Sequence, residues 1–223
     1  MRQGVLAVLP LAIGVATYGF AFGILASEAG FSPTAIAVMA VTVFAGSSQI
    51  AAVDQFLTTG SVLSAALAGA ALNLRYIGIV ASVTPILREA RWPSRALTMQ
   101  YATDENFGLT LARRADDPST GVAFLLGSGL TLLTFWAAST TLGAVLGQVL
   151  PDLDRFGIGF AFTAAFIAMA RALWPGRSAL LPWAATLATT ILLIRFGLPS
   201  AAALIIGALT GVATDLALNR HDT

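Results

Sequence analysis

The sequence predicts an all-α polytopic membrane protein with about six full transmembrane helices and two broken or re-entrant helical elements. Three observations carry this. Of 223 residues, 57% are hydrophobic and 10% charged, with a mean hydropathy of +0.83, whereas soluble domains carry about 25% charged residues. Apolar runs of the length needed to cross hydrocarbon, about 20 residues each, recur along the whole chain. The basic residues, all twelve of them arginine, gather between these runs. Residues 1–223 therefore read as a single integral membrane domain ending in a polar tail, 219–223.

The first span is expected at 4–26. Its start, MRQGVLAVLPLAIG, has the look of a signal peptide, but the apolar run continues to Ala26 without a polar cleavage region, which predicts a retained helix. Further full spans are expected at 61–83, 121–147, 156–173, 179–195 and 199–218. Two stretches do not fit a simple span. Residues 34–58 begin apolar and break at Gly46–Ser48, and residues 94–114 carry Asp104 and Glu105 at their middle.

Arginine placement decides between crossing and turning back, because Lys and Arg concentrate in short cytoplasmic loops. With the N-terminus inside and both broken stretches re-entrant, Arg2, Arg88, Arg91, Arg95, Arg113, Arg114, Arg171, Arg177 and Arg220 face the cytoplasm, and only Arg155 and Arg195 face outward. If both stretches cross fully, Arg88, Arg91 and Arg95 change sides and the bias disappears. Re-entrant elements and cytoplasmic termini are the expectation. Gly19-x-x-x-Gly23, Gly143-x-x-x-Gly147 and Gly207-x-x-x-Gly211 place small residues on single helix faces, where backbones can approach closely. No internal repeat is evident by inspection. Trp92, Trp174 and Trp183 are expected at membrane interfaces, with Trp136 deeper and packed. Pro151–Arg155 reads as an external turn.

Three polar clusters interrupt the apolar background. Gly46-Ser47-Ser48-Gln49, followed by Asp54, lies where a helix break would expose the N–H groups of a second half-helix, a ready site for an anion. The plainer reading is a kink whose serines bond back to the preceding turn. Asn73-Leu74-Arg75-Tyr76 places a guanidinium inside a span. That costs about 2.5–3.5 kcal/mol on insertion scales, so Arg75 is expected to face the bundle interior. Its candidate partners are Asp54, Asp104 and Glu105, and the pair either locks helices together or contacts solute. Thr103-Asp104-Glu105-Asn106 sets two carboxylates about 100° apart on a helix. One can meet Arg75 while the other faces a cavity, as a cation site or proton carrier; the alternative is a solvated interfacial helix.

Composition excludes several classes. Cysteine is absent and the single histidine, His221, lies in the tail, so thiolate and histidine metal sites have no ligands. There is no HExxH, no serine–histidine pairing, no phosphate-binding loop and no nucleotide-binding domain, and neither Asp54 nor Asp104 lies in a proteolytic motif. No enzyme activity, cofactor, metal or nucleic-acid partner is expected.

The stretches LPLAIGVATYGFAFGILA (9–26), VFAGSSQIAAVDQF (43–56), ALNLRYIGIVASVTP (71–85) and TDENFGLTLAR (103–113) resemble, in this order and spacing, the AzlC family of bacterial amino-acid permeases. Ser48, where the family more often has alanine, and Asp54, where an apolar residue is expected, depart from the pattern. The resemblance implies the large subunit of a two-component exporter of branched-chain amino acids in the bacterial inner membrane, working with a small AzlD-like subunit. On that reading Gly46, Ser47, Ser48, Gln49, Asn73, Arg75, Asp104, Glu105 and Asn106 line the translocation site. Asp104, Glu105 and Asp54 are candidate proton carriers. The solute's carboxylate would meet Gly46–Ser48, its ammonium Asp104 or Glu105, and its apolar side chain the surface from Ile50 to Val53. A transporter or channel for another small solute, and a scaffold without transport, are the alternatives.

Overall fold

The computed structural model describes residues 1–88, 90–149 and 176–219, together with Ile167 and Trp174. Every regular element among them is helical. The helices are α1 (Arg2–Glu28), α2 (Pro33–Thr42), α3 (Gly46–Thr59), α4 (Val62–Asn73), α5 (Tyr76–Leu87), α6 (Trp92–Gln100), α7 (Asp104–Asp116) and α8 (Val122–Val149). A 3₁₀ turn (Arg177–Ala179) leads into α9 (Leu180–Arg195), and α10 (Ser200–Asn219) follows. The expected span 156–173, the turn Pro151–Arg155 and residues 220–223 lie outside the described residues.

Among the described residues, four helical stretches are long and apolar enough to cross a membrane: Arg2–Glu28, Val62–Leu87, Val122–Val149 and Arg177–Arg195. α10 is apolar over Ala202–Leu218. The two stretches expected to be broken are each divided in two, α2/α3 and α6/α7. A third break was not expected. The span 61–83 extends to Val62–Leu87 but tightens at Leu74–Arg75, where Leu74 N–H bonds to Ala71 O (3.3 Å) and Ile77 N–H to Leu74 O (3.1 Å). Such i→i−3 bonding is a 3₁₀ tightening, often found at hinges.

Local chemistry fixes several ends. Ser32 Oγ accepts from Ala35 N–H ahead of Pro33 at the start of α2, and Ser61 Oγ accepts from Ser64 N–H at the start of α4. Gly60, at φ +65°, ends α3 in the left-handed conformation open to glycine.

α1 and α8 form the central pair and run parallel: Gly4 lies against Phe124, Gly19 against Trp136 and Ser139, Gly23 against Thr140 and Ala144, and Gly147 against Ser27. All three glycine motifs sit at helix contacts, the third with Gly207 and Gly211 against Thr190 and Thr186 of α9. The main core joins Val8, Ala12, Val15 and Phe22 of α1 to Ile36 and Ala40 of α2, Ile50 and Val53 of α3, and Leu132 and Trp136 of α8.

Side-chain contacts set the direction of the broken elements. Phe31, just before α2, packs edge-on against Phe56 near the end of α3, with ring centroids 6.4 Å apart. Both ends of α2–α3 therefore lie on one face, at the C-terminal end of α1. Arg91 before α6 and Arg114 at the end of α7 share a cavity with Met1 and Val122. Both ends of α6–α7 therefore lie on the opposite face, with the N-terminus. Two re-entrant hairpins thus dip in from opposite faces, each following a span (α1, then α4–α5) that runs the opposite way to the other.

The two breaks share an aromatic–alanine step, Phe44-Ala45 and Tyr101-Ala102, just ahead of the helices that start at Gly46 and Asp104. In transporters built from inverted elements, solute sites lie where those elements meet near the bilayer midplane.

Candidate functional site

The hairpin tips meet. Gln100 Nε2–H donates to Thr42 O (3.1 Å), and the rings of Phe44 and Tyr101 pack edge-on at 6.3 Å. Gln49 Nε2–H donates to Met39 O (3.0 Å). Gln100 thus satisfies Thr42 O at the end of α2, while Gln49 gives a second hydrogen bond to Met39 O, which already accepts from Val43 N–H. The broken backbone is thereby tolerated away from water.

A cleft opens between the tips, walled by Gly46 and Ser47 of α3, Arg75 and Tyr76, Thr103, Asp104 and Glu105 of α7, and by Tyr18 and Trp136 from α1 and α8. Its free volume is about 20 Å³, room for about one water molecule. Anything larger enters only when side chains move.

The two tips differ in charge. α3 begins at Gly46 behind Ala45, whose side chain cannot cap it, so the N–H groups of its first turn have no side-chain acceptor. Ser47 Oγ and Trp136 Nε1, on side chains 9% and 1% exposed, have no hydrogen-bond partner among the described residues. Buried polar atoms are rarely left so, and both residues are among those lining the cleft. Gly46 is needed here because a Cβ would press on Trp136 (3.0 Å) and Tyr18 (3.2 Å).

α7 is the opposite case. Thr103 and Asn106 form a reciprocal capping box, and Asp104 and Glu105 occupy the first turn. Arg75 Nη1 reaches Asp104 Oδ2 at 3.0 Å, with the side chains 32% and 22% exposed. The Arg75 guanidinium also lies over the Tyr76 ring, 5.5 Å from its centroid. Glu105 Oε1 accepts from the Tyr18 hydroxyl at 3.0 Å. The two carboxylates thus take different partners, as their 100° separation implies.

Of the residues expected at the site, Gly46, Ser47, Arg75, Asp104 and Glu105 line the cleft. Ser48 Oγ–H instead donates to Asn73 Oδ1 (2.5 Å), tying α3 to α4. Gln49 gives its Nε2–H to α2, and its buried Oε1 has no hydrogen-bond partner among the described residues. Asn106 is fully buried and committed to backbone: Oδ1 accepts from Thr103 N–H (2.7 Å), and Nδ2 donates to Tyr101 O (2.9 Å) and Leu125 O (3.3 Å). Asp54 is exposed on α3 and does not line the cleft, and Asp104 rather than Asp54 pairs with Arg75. Asn106→Ala is expected to destabilise the fold by about 1–2 kcal/mol through the lost cap. Thermal unfolding in detergent checks this, with solute preference unchanged in the folded fraction.

Tyr18, Tyr76, Thr103 and Trp136 were not among the residues expected to line the site, although Tyr76 and Thr103 belong to two of the polar clusters. Trp136 does pack, stacked on Phe22 at 5.5 Å, and its ring also lines the cleft.

A family model described as AzlC protein matches residues 10–150, which run from within α1 to the end of α8 and contain the whole cleft. The chain belongs to the AzlC family. Membership is carried by the part of the chain that holds both re-entrant tips. A family relative from Archaeoglobus fulgidus, described as an uncharacterized membrane protein, is 30% identical over 171 residues, covering 75% of this chain and 73% of that one. Inner membrane protein YgaZ of Escherichia coli K12 is 26% identical over 212 residues, covering 92% and 86%. No solved structure matches the chain. AzlC membership and the helical architecture are those of a membrane transporter.

Proposed function

We propose that this chain exports small amino acids with apolar side chains, branched-chain ones foremost, across the bacterial inner membrane. It works as the large subunit beside a small AzlD-like partner, with its N-terminus in the cytoplasm. The observation carrying this reading is the pairing of an uncapped helix N-terminus with two carboxylates across one cleft. A zwitterion is the solute such a site complements. Its carboxylate takes the α3 N–H groups, Ser47 Oγ and the Trp136 N–H; its ammonium takes Asp104 or Glu105.

In the described state Arg75 holds Asp104 and leaves room for only one water. A solute ammonium competes with Arg75 for Asp104, and the displaced guanidinium becomes available to the solute carboxylate. Charge also bears on coupling. Arg75, Asp104 and Glu105 sum to one negative charge when all are ionised. A neutral zwitterion leaves that charge in place, whereas one proton on Glu105 removes it. Moving an uncompensated charge through hydrocarbon is costly, so a proton on Glu105 accompanies one direction of the cycle, with Tyr18 as its hydrogen-bond partner.

The test uses the chain with its partner in proteoliposomes. Glu105→Gln is expected to retain exchange of labelled for unlabelled valine while losing the response of net flux to a pH gradient. If both Glu105→Gln and Asp104→Asn keep net export and its pH response, the ammonium and proton roles fail. Flux that never saturates and shows no exchange favours an uncoupled pore for another small solute, a reading to which the one-water width of the cleft lends itself.

A further inference from the structure

The surface expected to receive the solute's apolar side chain is closed. Ile50 and Val53, 6% and 3% exposed, belong to the core packed between α3, α1 and α8, and neither lines the cleft. A side chain attached to a head group in the cleft must go elsewhere.

An open pocket of about 290 Å³ adjoins the cleft. The two share Phe44 and Tyr76 as walls. Beyond that partition the second chamber is lined by Val43, Ala45 and Met99, with Asn73 and Gln100. Among the described residues no charged side chain lines it. Asn73 Oδ1 accepts from Ser48 and Gln100 Nε2–H is given to Thr42 O, so one end of each amide is engaged. The chamber therefore offers the apolar faces of Val43, Ala45 and Met99, with two amides, beside a charged cleft.

The partition is held under constraint. Phe44 has φ +38°, a conformation uncommon for a non-glycine residue, and it is 5% exposed with its ring against Tyr101. Residues held in sparsely populated backbone regions persist only where their surroundings over-determine them, and they cluster at ligand clamps and switches. Phe44 is such a residue at the point where cleft and chamber meet. A solute anchored by its charges in the cleft reaches the chamber past this ring.

We infer that the chamber bounded by Phe44, Tyr76 and Met99 receives the solute's apolar side chain, and that Met99 sets its upper size. The inference rests on the zwitterion reading above and adds to it the residues that choose among amino acids. Val43 and Met99 are the adjustable walls, because Phe44 and Tyr76 also border the charged cleft.

The experiment measures uptake of labelled alanine into proteoliposomes containing the chain and its partner, with unlabelled alanine, valine, leucine and phenylalanine as competitors. Met99→Trp fills the chamber and Met99→Ala enlarges it. Hydrophobic pockets discriminate a single methylene by about 10–200-fold, which predicts that Met99→Trp weakens leucine and phenylalanine about tenfold or more while alanine changes less than about threefold. Met99→Ala should strengthen phenylalanine relative to alanine. Ser47→Ala, a change in the head-group cleft, should weaken all four alike. If wild-type protein discriminates among the four but both Met99 variants leave the order unchanged, or weaken all four equally, the chamber assignment is overturned while the zwitterion reading stands. If no amino acid competes with wild-type protein, the zwitterion reading itself falls. Met99→Ala keeps the test decisive should the tryptophan variant fail to fold.

Discussion

Arg75→Ala is expected to abolish net transport, and Arg75→Ala/Asp104→Ala to restore the fold without restoring transport. Both partners are about a quarter to a third exposed and lie 3.0 Å apart at the crossing of the broken span and the second hairpin. Removing one partner of a deeply buried pair costs about 3–5 kcal/mol and of a fully exposed pair about 0–1, so this half-buried pair belongs between them, at about 1–3 kcal/mol. The loss arises because the carboxylate of Asp104 is left beside Glu105 with no cation to balance it. Removing both members takes away that imbalance, and much of the stability should return. Transport should not return, since the displaceable cation and the ammonium site are both gone. A double-mutant cycle on thermal unfolding, run beside valine exchange, separates these outcomes. If the double variant transports, Arg75 and Asp104 are a structural lock only. If Arg75→Lys supports full activity, the planar, multi-donor guanidinium has no special role.

How much of this was legible in the sequence follows from the kind of force involved. The spans announced themselves because hydrocarbon demands long apolar runs, and the re-entrant stretches because Gly46–Ser48 and Asp104–Glu105 cannot lie in a simple span. Arginine counting supported both hairpins turning back, in agreement with Phe31 lying against Phe56 and Arg91 sharing a cavity with Arg114. The break at Leu74–Arg75 was not legible, because a 3₁₀ tightening needs no glycine or proline to mark it. Asn106 misled for a related reason. A polar side chain inside a membrane signals that some polar group needs a partner, and here the partner is backbone freed by a broken helix rather than solute. Tyr18 and Trp136 were hidden by their hydrophobic bulk; only the fold shows that the hydroxyl of one bonds Glu105 while the ring of the other lines the cleft.

Gly23→Val is expected to prevent assembly of the whole site although Gly23 does not line the cleft. A Cβ at this position would collide with the carbonyl oxygen of Thr140 and stand 2.7 Å from the backbone nitrogen of Ala144. These are backbone atoms of α8, so no rotamer change relieves the collision and the two helices must part. Gly143 repeats the arrangement from the other side, with a Cβ meeting the Phe20 carbonyl. Overpacking a core that can relax costs about 1–3 kcal/mol, and an interface of two backbones should cost at least the upper part of that range. In a bilayer the loss is not offset by a hydrophobic drive, because lipid tails solvate a separated helix as well as a neighbouring helix does. The consequence reaches the cleft through Tyr18 and Trp136. These residues lie on α1 and α8, with ring centroids 5.3 Å apart, and form one wall of the site. Separating α1 from α8 therefore separates the Glu105 partner from the Trp136 N–H. Gly14 supplies the control: a Cβ there meets nothing within 4 Å, so Gly14→Ala should leave yield and activity unchanged. Fluorescence-detected size exclusion of the two variants checks the contrast, and a monodisperse, active Gly23→Val protein would mean that α1 and α8 do not need this close approach to build the site.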